Sequence, residues 1–155
     1  MEEITLKVNG ESYTKAVEPN LSLLDFLRER IGVKSPKKGC DSGECGACTV
    51  ILNNRAVTSC MVLAIECDGA EVETLESLSK DGTLHPLQTA FIEENAVQCG
   101  FCTPGMIMSA KSLLDRNPNP SEDDIKDAIG GNLCRCTGYV PIVGAIKKAA
   151  REIKK

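Results

Sequence analysis

Eight of the nine cysteines in this chain of 155 residues fall into two quartets, so thiolate chemistry is the first thing the sequence offers. Cys40, Cys45 and Cys48 lie in GCDSGECGACTV as a C-x4-C-x2-C run, and Cys60 follows eleven intervening residues later. This is the plant-type spacing of a 2Fe-2S ferredoxin centre. Four thiolates around two ferric ions and two sulfides sum to a formal charge of about −2, and about −3 after one electron is added, which a protein interior does not tolerate without donors. Gly39, Gly43 and Gly46 let the backbone fold close around the sulfurs so that successive N–H groups point inward, as in an anion nest. The competing reading is zinc. Structural zinc usually draws its ligands from pairs two to four residues apart, which the 3+1 distribution fits poorly.

The second quartet is Cys99 and Cys102 in QCGFC with Cys134 and Cys136 in NLCRC, a C-x2-C and a C-x-C pair separated by 31 residues. Spacing alone accommodates zinc and iron–sulfur here equally. Placement adds something, because each pair precedes a helix opened by a proline, Pro104 or Pro141, where unpaired N–H groups and the positive dipole end favour an anion. Cys67 stands outside both quartets in a strand-like stretch and reads as a buried, inert thiol. His85, the one histidine, precedes Pro86 and reads as a helix-terminus residue rather than a metal ligand. Met106 and Met108 suit packing, and Gln98 suits a polar helix end.

The elements that must hold these loops are legible in the periodicity. ITLKVNGESYTKAV alternates apolar and polar residues about Asn9-Gly10 and predicts a hairpin. NLSLLDFLRERIG predicts a helix of about three turns, with Ser22 as N-cap and Gly32 as C-cap. TVILNNRAVTSC repeats the hairpin pattern about Asn53-Asn54, and AEVETLESL adds a short strand. Helical periodicity follows: HPLQTAFIEENAV with Leu87, Ala90, Phe91 and Val97 on one side, TPGMIMSAKSLLDRNP opened by Pro104, a helix from Ser121 to Gly130-Gly131, and VPIVGAIKKAAREIKK. The basic residues of that last helix, Lys147, Lys148, Arg151, Lys154 and Lys155, read as a solvated face placed favourably for the dipole. The expected fold class is α+β, with a ferredoxin-like (β-grasp) domain over 1–76 and an all-α four-helix domain over 77–155.

Composition narrows the function classes. A net charge of −4 argues against a nucleic-acid partner, and no run reaches the roughly 18 apolar residues of a membrane span. A secreted disulfide scaffold calls for a signal peptide and an even cysteine count, whereas MEEITLKVNG has neither a basic n-region nor an apolar h-region. A cytoplasmic, reducing setting is expected.

Taken together, GCDSGECGACTV, QCGFCTPGM and GNLCRCTGY resemble the iron–sulfur small subunit of the molybdenum hydroxylases, the family of xanthine dehydrogenase, aldehyde oxidoreductase, nicotinate dehydrogenase, 4-hydroxybenzoyl-CoA reductase and aerobic carbon monoxide dehydrogenase. The likeness runs over nearly the whole chain. It implies a 2Fe-2S cluster in each domain, so that the second quartet too would hold iron. Cys40, Cys45, Cys48 and Cys60 would hold the cluster nearer an FAD, and Cys99, Cys102, Cys134 and Cys136 the one nearer a molybdopterin. Gln98 and Cys136 resemble the positions that approach the pterin, with Arg135 and Tyr139 as weaker members of that surface.

Some relatives carry flavin and molybdenum domains on the same polypeptide, whereas this chain stops at Lys155 with no G-x-G-x-x-G loop and no evident base, nucleophile or oxyanion pocket. The expectation is a non-catalytic electron-transfer subunit. It would sit beside a large molybdopterin-binding subunit and a medium FAD-binding subunit, in a complex able to dimerise. The alternatives are a free-standing two-cluster electron carrier and a zinc-bound interaction module.

Overall fold

The computed structural model describes residues 1–154. Strands β1 (Glu2–Val8) and β2 (Glu11–Val17) pair antiparallel from Glu2↔Val17 to Val8↔Glu11. Asn9 and Gly10 turn between them with φ of 52° and 88°, the doubly left-handed geometry that matches strand twist in a two-residue hairpin. The second hairpin, β3 (Thr49–Leu52) and β4 (Arg55–Thr58), turns at Asn53 and Asn54 in the same way. Strand β5 (Glu71–Glu73) enters between the hairpins, parallel to β1 and antiparallel to β3, giving the order β2-β1-β5-β3-β4.

Helix α1 (Leu23–Asp25, continued by Phe26–Ile31) crosses the sheet face. Ser22 Oγ accepts the Asp25 N–H at 3.0 Å, and Gly32 at φ 89° ends the segment, as its caps predict. Only Leu23–Asp25 is α-helical; Phe26–Ile31 continues with the wider π-type bonding, a difference from the regular helix expected and one that no sequence signal marks. Leu23, Phe26 and Leu27 pack on Ile4, Leu6, Val8, Val17, Val50 and Val72 as one core.

The remaining helices, α2 (Pro86–Glu93), α3 (Thr103–Arg116), α4 (Glu122–Ile129) and α5 (Val140–Ile153), enclose a second core. Helix α2 is shorter than its periodicity suggests. Asn95 turns left-handed at φ 52°, so Ala96 is buried and Val97 is exposed, which removes Val97 from the apolar side assigned to it. Ile51 belongs to this helical core while its neighbour Val50 belongs to the other, because successive side chains of a strand point to opposite faces. Strand β3 is thus a shared wall.

Cys67 ends a short 3-10 turn, Ala64–Cys67, rather than a strand. It is buried as expected, and burial pushes its thiol up to about 11. On α5, Lys147 pairs with Glu122, and Lys148 reaches Glu93 and Glu94 at 2.9 and 3.0 Å, so the basic face also cross-links helices. Lys155 lies outside the described residues. Among the described residues no helix is long and apolar enough to cross a membrane.

Candidate metal centres

The first cysteine loop, between α1 and β3, is shaped by left-handed turns at Asp41, Gly43 and Gly46. These aim the N–H groups of Ser42, Glu44 and Cys45 at Cys40 Sγ, at 3.4, 3.3 and 3.3 Å, while the Ala47 N–H faces Cys45 Sγ at 3.5 Å. Hydrogen bonds from Ser42 first, then from the Cys45 and Glu44 backbone, hold the Cys40 thiol down to about 6. Gly39 leaves the space the sulfur needs, since a Cβ there would stand 2.8 Å from Cys45 Sγ. Cys48 is buried at the entrance to β3, and the buried Ser59 hydroxyl donates to its carbonyl at 2.7 Å. That contact lays Cys60 beside Cys48, and the two thiols share a hydrogen bond; burial first, then Cys48, pushes Cys60 up to about 11.

The second site forms where two helices begin. Cys102 is the N-cap residue of α3, and its thiol is hydrogen-bonded to that of Cys134; burial first, then Cys134, pushes Cys102 up to about 12. The Cys99 thiol is the hydrogen-bond partner of Cys136 and raises its pKa. The loop leading into α5 closes on itself. The Cys134 N–H donates to the Tyr139 hydroxyl at 2.9 Å, the Tyr139 N–H donates to Thr137 Oγ1 at 3.2 Å, and that oxygen lies 3.1 Å from Cys134 Sγ. Tyr139 itself is held left-handed at φ 71°, with its hydroxyl committed inside the loop.

Among the described residues no three His, Cys, Asp or Glu side chains gather as a single-ion site requires; Cys60 lies beside Cys48, Cys102 beside Cys134 and Cys136 beside Cys99. Such pairs would suit a dinuclear iron–sulfur cluster held by four thiolates. The surrounding N–H donors suit its negative charge. The thiol set therefore fits 2Fe-2S centres better than zinc. His85 takes no part. Its Nδ1 accepts the Leu87 N–H at 3.2 Å while Gln88 Oε1 accepts the His85 N–H at 2.9 Å, a capping box for α2.

The two sites touch. The Leu133 N–H, one residue before Cys134, donates to the Cys45 carbonyl at 2.9 Å. Asn132 is buried between the loops, its Nδ2 donating to the Gly46 carbonyl at 3.1 Å and Thr49 Oγ1 at 3.3 Å, its Oδ1 accepting from Ser109 at 2.7 Å. Cys40 on one site, and Cys99 and Cys136 on the other, are exposed, as are Gln98 and Arg135. Sequence reasoning missed Asn132, Ser109 and Ser59. The available signal was a polar residue set between Gly131 and the apolar Leu133 beside a cysteine pair, where a solvated turn would have tolerated many side chains.

Known proteins carry the same pattern. Residues 6–79 match the family described as a 2Fe-2S iron-sulfur cluster binding domain, and residues 74–147 the family described as a 2Fe-2S binding domain. The nicotinate dehydrogenase small FeS subunit of Eubacterium barkeri is 53% identical over 149 residues, covering 96% of this chain and 95% of that protein. The nicotine 6-hydroxylase small subunit of Paenarthrobacter nicotinovorans is 48% identical over 97% of this chain and 91% of its own length. A chain of quinoline 2-oxidoreductase from Pseudomonas putida 86 superposes with a TM-score of 0.95 at 41% identity, covering 99% of this chain and 96% of that one. The aldehyde oxidoreductase of Desulfovibrio desulfuricans superposes with a TM-score of 0.96 at 47% identity, but this chain spans 17% of that polypeptide. Likeness of this extent, in sequence and in fold, settles the kinship: the chain belongs to the small iron–sulfur subunit family of the molybdenum hydroxylases.

Proposed function

We propose that the chain relays single electrons between a molybdopterin centre and an FAD, each carried by a partner subunit, in a cytoplasmic molybdenum hydroxylase complex. One observation carries the reading. The cysteine sites are joined at their inner edges by the Leu133–Cys45 hydrogen bond, while each keeps exposed cysteine at the surface, so an electron entering at one can leave at the other. A chain of this length has a radius of gyration of about 15 Å, which keeps both sites and both surfaces close. The clusters, when bound, supply one-electron chemistry; substrate chemistry belongs to the partners.

In this reading residues 1–76 present Cys40, Cys45, Cys48 and Cys60 toward the flavin side. Residues 77–155 present Cys99, Cys102, Cys134 and Cys136 toward the molybdenum side, with Gln98 and Cys136 against the pterin. The protein's part is to fix positions, exclude water from Cys48, and aim N–H groups at Cys40 so as to set the potential of the first site.

Paramagnetic resonance on the reduced protein tests the assignment. Cys45→Ser should remove one reducible signal and Cys136→Ser the other, and loss of both from either change would refute independent sites. Gln98→Ala should keep both signals and slow only reduction from molybdenum; unchanged turnover would remove Gln98 from the pterin surface. Co-elution with flavoprotein and molybdoprotein chains from native extract separates a subunit from a free carrier, which would elute alone near 17 kDa.

A further inference from the structure

At Gly46 the two cysteine loops leave no room for a side chain. A Cβ on Gly46 would lie 2.3 Å from the Gly131 carbonyl oxygen, and one on Gly105 would lie 2.3 Å from the Gly46 oxygen, so three backbone segments are in direct contact. At this contact the Cys45 carbonyl accepts the Leu133 N–H. Starting from Cys45 Sγ, the main chain leads to that carbonyl, crosses one hydrogen bond, and continues through Leu133 to Cys134 Sγ. The path has a single non-covalent step. Electronic coupling decays much faster across a gap than along bonds, so the length of that hydrogen bond governs what the path can carry.

Asn132 brackets this step. It precedes the donor residue, Leu133, and its Nδ2 grips Gly46, which follows the acceptor residue, Cys45. Its other end is anchored to Ser109 on α3, and its own N–H is tied to the Ile129 carbonyl at the end of α4 at 2.8 Å. The side chain is buried, with both ends of its amide satisfied. A buried amide with this connectivity holds two loops at fixed separation more firmly than the Leu133–Cys45 bond could alone.

We propose that electrons pass between the two clusters through the Leu133 N–H to Cys45 carbonyl hydrogen bond, and that Asn132 is the positioning residue that keeps this bond short. The inference rests on the relay reading. In the step, one electron leaves a Fe(II)Fe(III) pair, which becomes Fe(III)Fe(III), and enters the oxidised pair at the other site, which becomes Fe(II)Fe(III); no proton moves and no bond is made or broken. A rival route exists through the Phe101 ring, which lies between Cys99 and Cys102 in sequence and would stand 3.4 Å from a Cβ on Gly39, beside Cys45.

The test uses the intact complex with both clusters loaded. It measures iron content, both midpoint potentials, the magnetic splitting between the two reduced clusters, and the rate of inter-cluster transfer after flash reduction. Asn132→Ala should keep both clusters and both potentials, weaken the exchange part of the splitting, and slow transfer severalfold. An amide-to-ester replacement at Leu133, which deletes the N–H and leaves every side chain in place, should do the same. Phe101→Leu should transfer at the wild-type rate.

A wild-type rate in the ester variant with both signals present overturns the route, and slowing confined to Phe101→Leu assigns it to the ring. A wild-type rate in Asn132→Ala with both clusters present overturns the role of Asn132. Should Asn132→Ala lose iron, its role is structural and that half of the proposal fails, while the ester variant still decides the route. Absence of inter-cluster transfer in the wild-type complex would instead refute the relay itself.

Discussion

Three glycines share nearly the same left-handed backbone but differ in what surrounds them, which makes the inter-site contact measurable. Gly10, Gly43 and Gly46 have φ of 88°, 78° and 73°. An alanine in this region costs about 1–2 kcal/mol whatever its neighbours, partly offset by about 0.4–1 kcal/mol of lost unfolded-state entropy. At Gly10 the new Cβ meets nothing within 4 Å, so the backbone term is the whole effect. At Gly43 it meets Met61 Cγ at 2.9 Å, but Met61 is 62% exposed and can swing away. At Gly46 it meets the Gly131 oxygen at 2.3 Å, Asn132 Nδ2 at 2.8 Å and Asn132 Cα at 2.9 Å, and backbone cannot swing. Overpacking of that kind adds about 1–3 kcal/mol.

At about 2–4 °C per kcal/mol for a chain of this size, Gly46→Ala should melt roughly 2–12 °C below Gly10→Ala, with Gly43→Ala close to Gly10→Ala. Thermal scans followed by visible absorption and by far-ultraviolet dichroism provide the assay. Because the wedge parts both loops, colour from both centres should fade together in Gly46→Ala. Equal melting temperatures for the Gly46 and Gly10 variants would mean that the loops are not pressed together, and the packed contact would have to be abandoned.

Two further outcomes follow from hydrogen bonds at the helix ends. On the proposed cluster assignment Cys134 is a thiolate, so Thr137 must be the donor across the 3.1 Å contact, and its hydrogen bond favours the more negative, reduced state. Thr137→Val should therefore lower the midpoint potential of the second centre by some tens of millivolts and leave the first unmoved, as read by potentiometric titration; an unchanged or raised potential would refute this hydrogen bond as a determinant of it. His85 caps α2 only while Nδ1 is neutral, and burial first, then the charge of Lys111, holds its pKa below the usual value. Because the native pKa is depressed, the cap's contribution is complete above about pH 6.5 and is lost as pH falls through the native value. His85→Ala should cost about 1 kcal/mol at neutral pH and flatten the acid side of the stability profile; a variant as acid-sensitive as the wild type would exonerate the histidine.

The parts of the fold that were legible in the sequence are those whose signals are local. Asn9-Gly10 and Asn53-Asn54 each sit at a turn whose geometry demands residues tolerant of positive φ, and Ser22, His85 and Ser121 cap helices through their own side chains. The first cysteine loop carried a different signal, the plant-type C-x4-C-x2-C spacing, whereas the spacing of the second quartet suits zinc and iron–sulfur equally and only the family resemblance favoured iron. What escaped was non-local. The end of α2 depends on Asn95 adopting a left-handed turn, which moved Val97 out of the side assigned to it. The role of Asn132 depends on Gly46, 86 positions away, and nothing within a window of sequence predicts that partner.

The shared wall explains why such a contact can be held at all. If the two halves were joined only by their linker, the separation of the cysteine loops would vary with every linker motion. Strand β3 instead sends Val50 into one core and Ile51 into the other, and it begins immediately after Cys48. Helix α3 begins immediately after Cys102 and packs its buried face, Met106, Ile107 and Ala110 included, in the same core as Ile51. Each core thus fixes an element that starts at a quartet cysteine, and the two elements are packed on one another. Protein interiors are dense and resist continuous deformation, so the distance between the loops is set by core packing, with the hydrogen bonds of Asn132 tuning a separation that the cores have already made small.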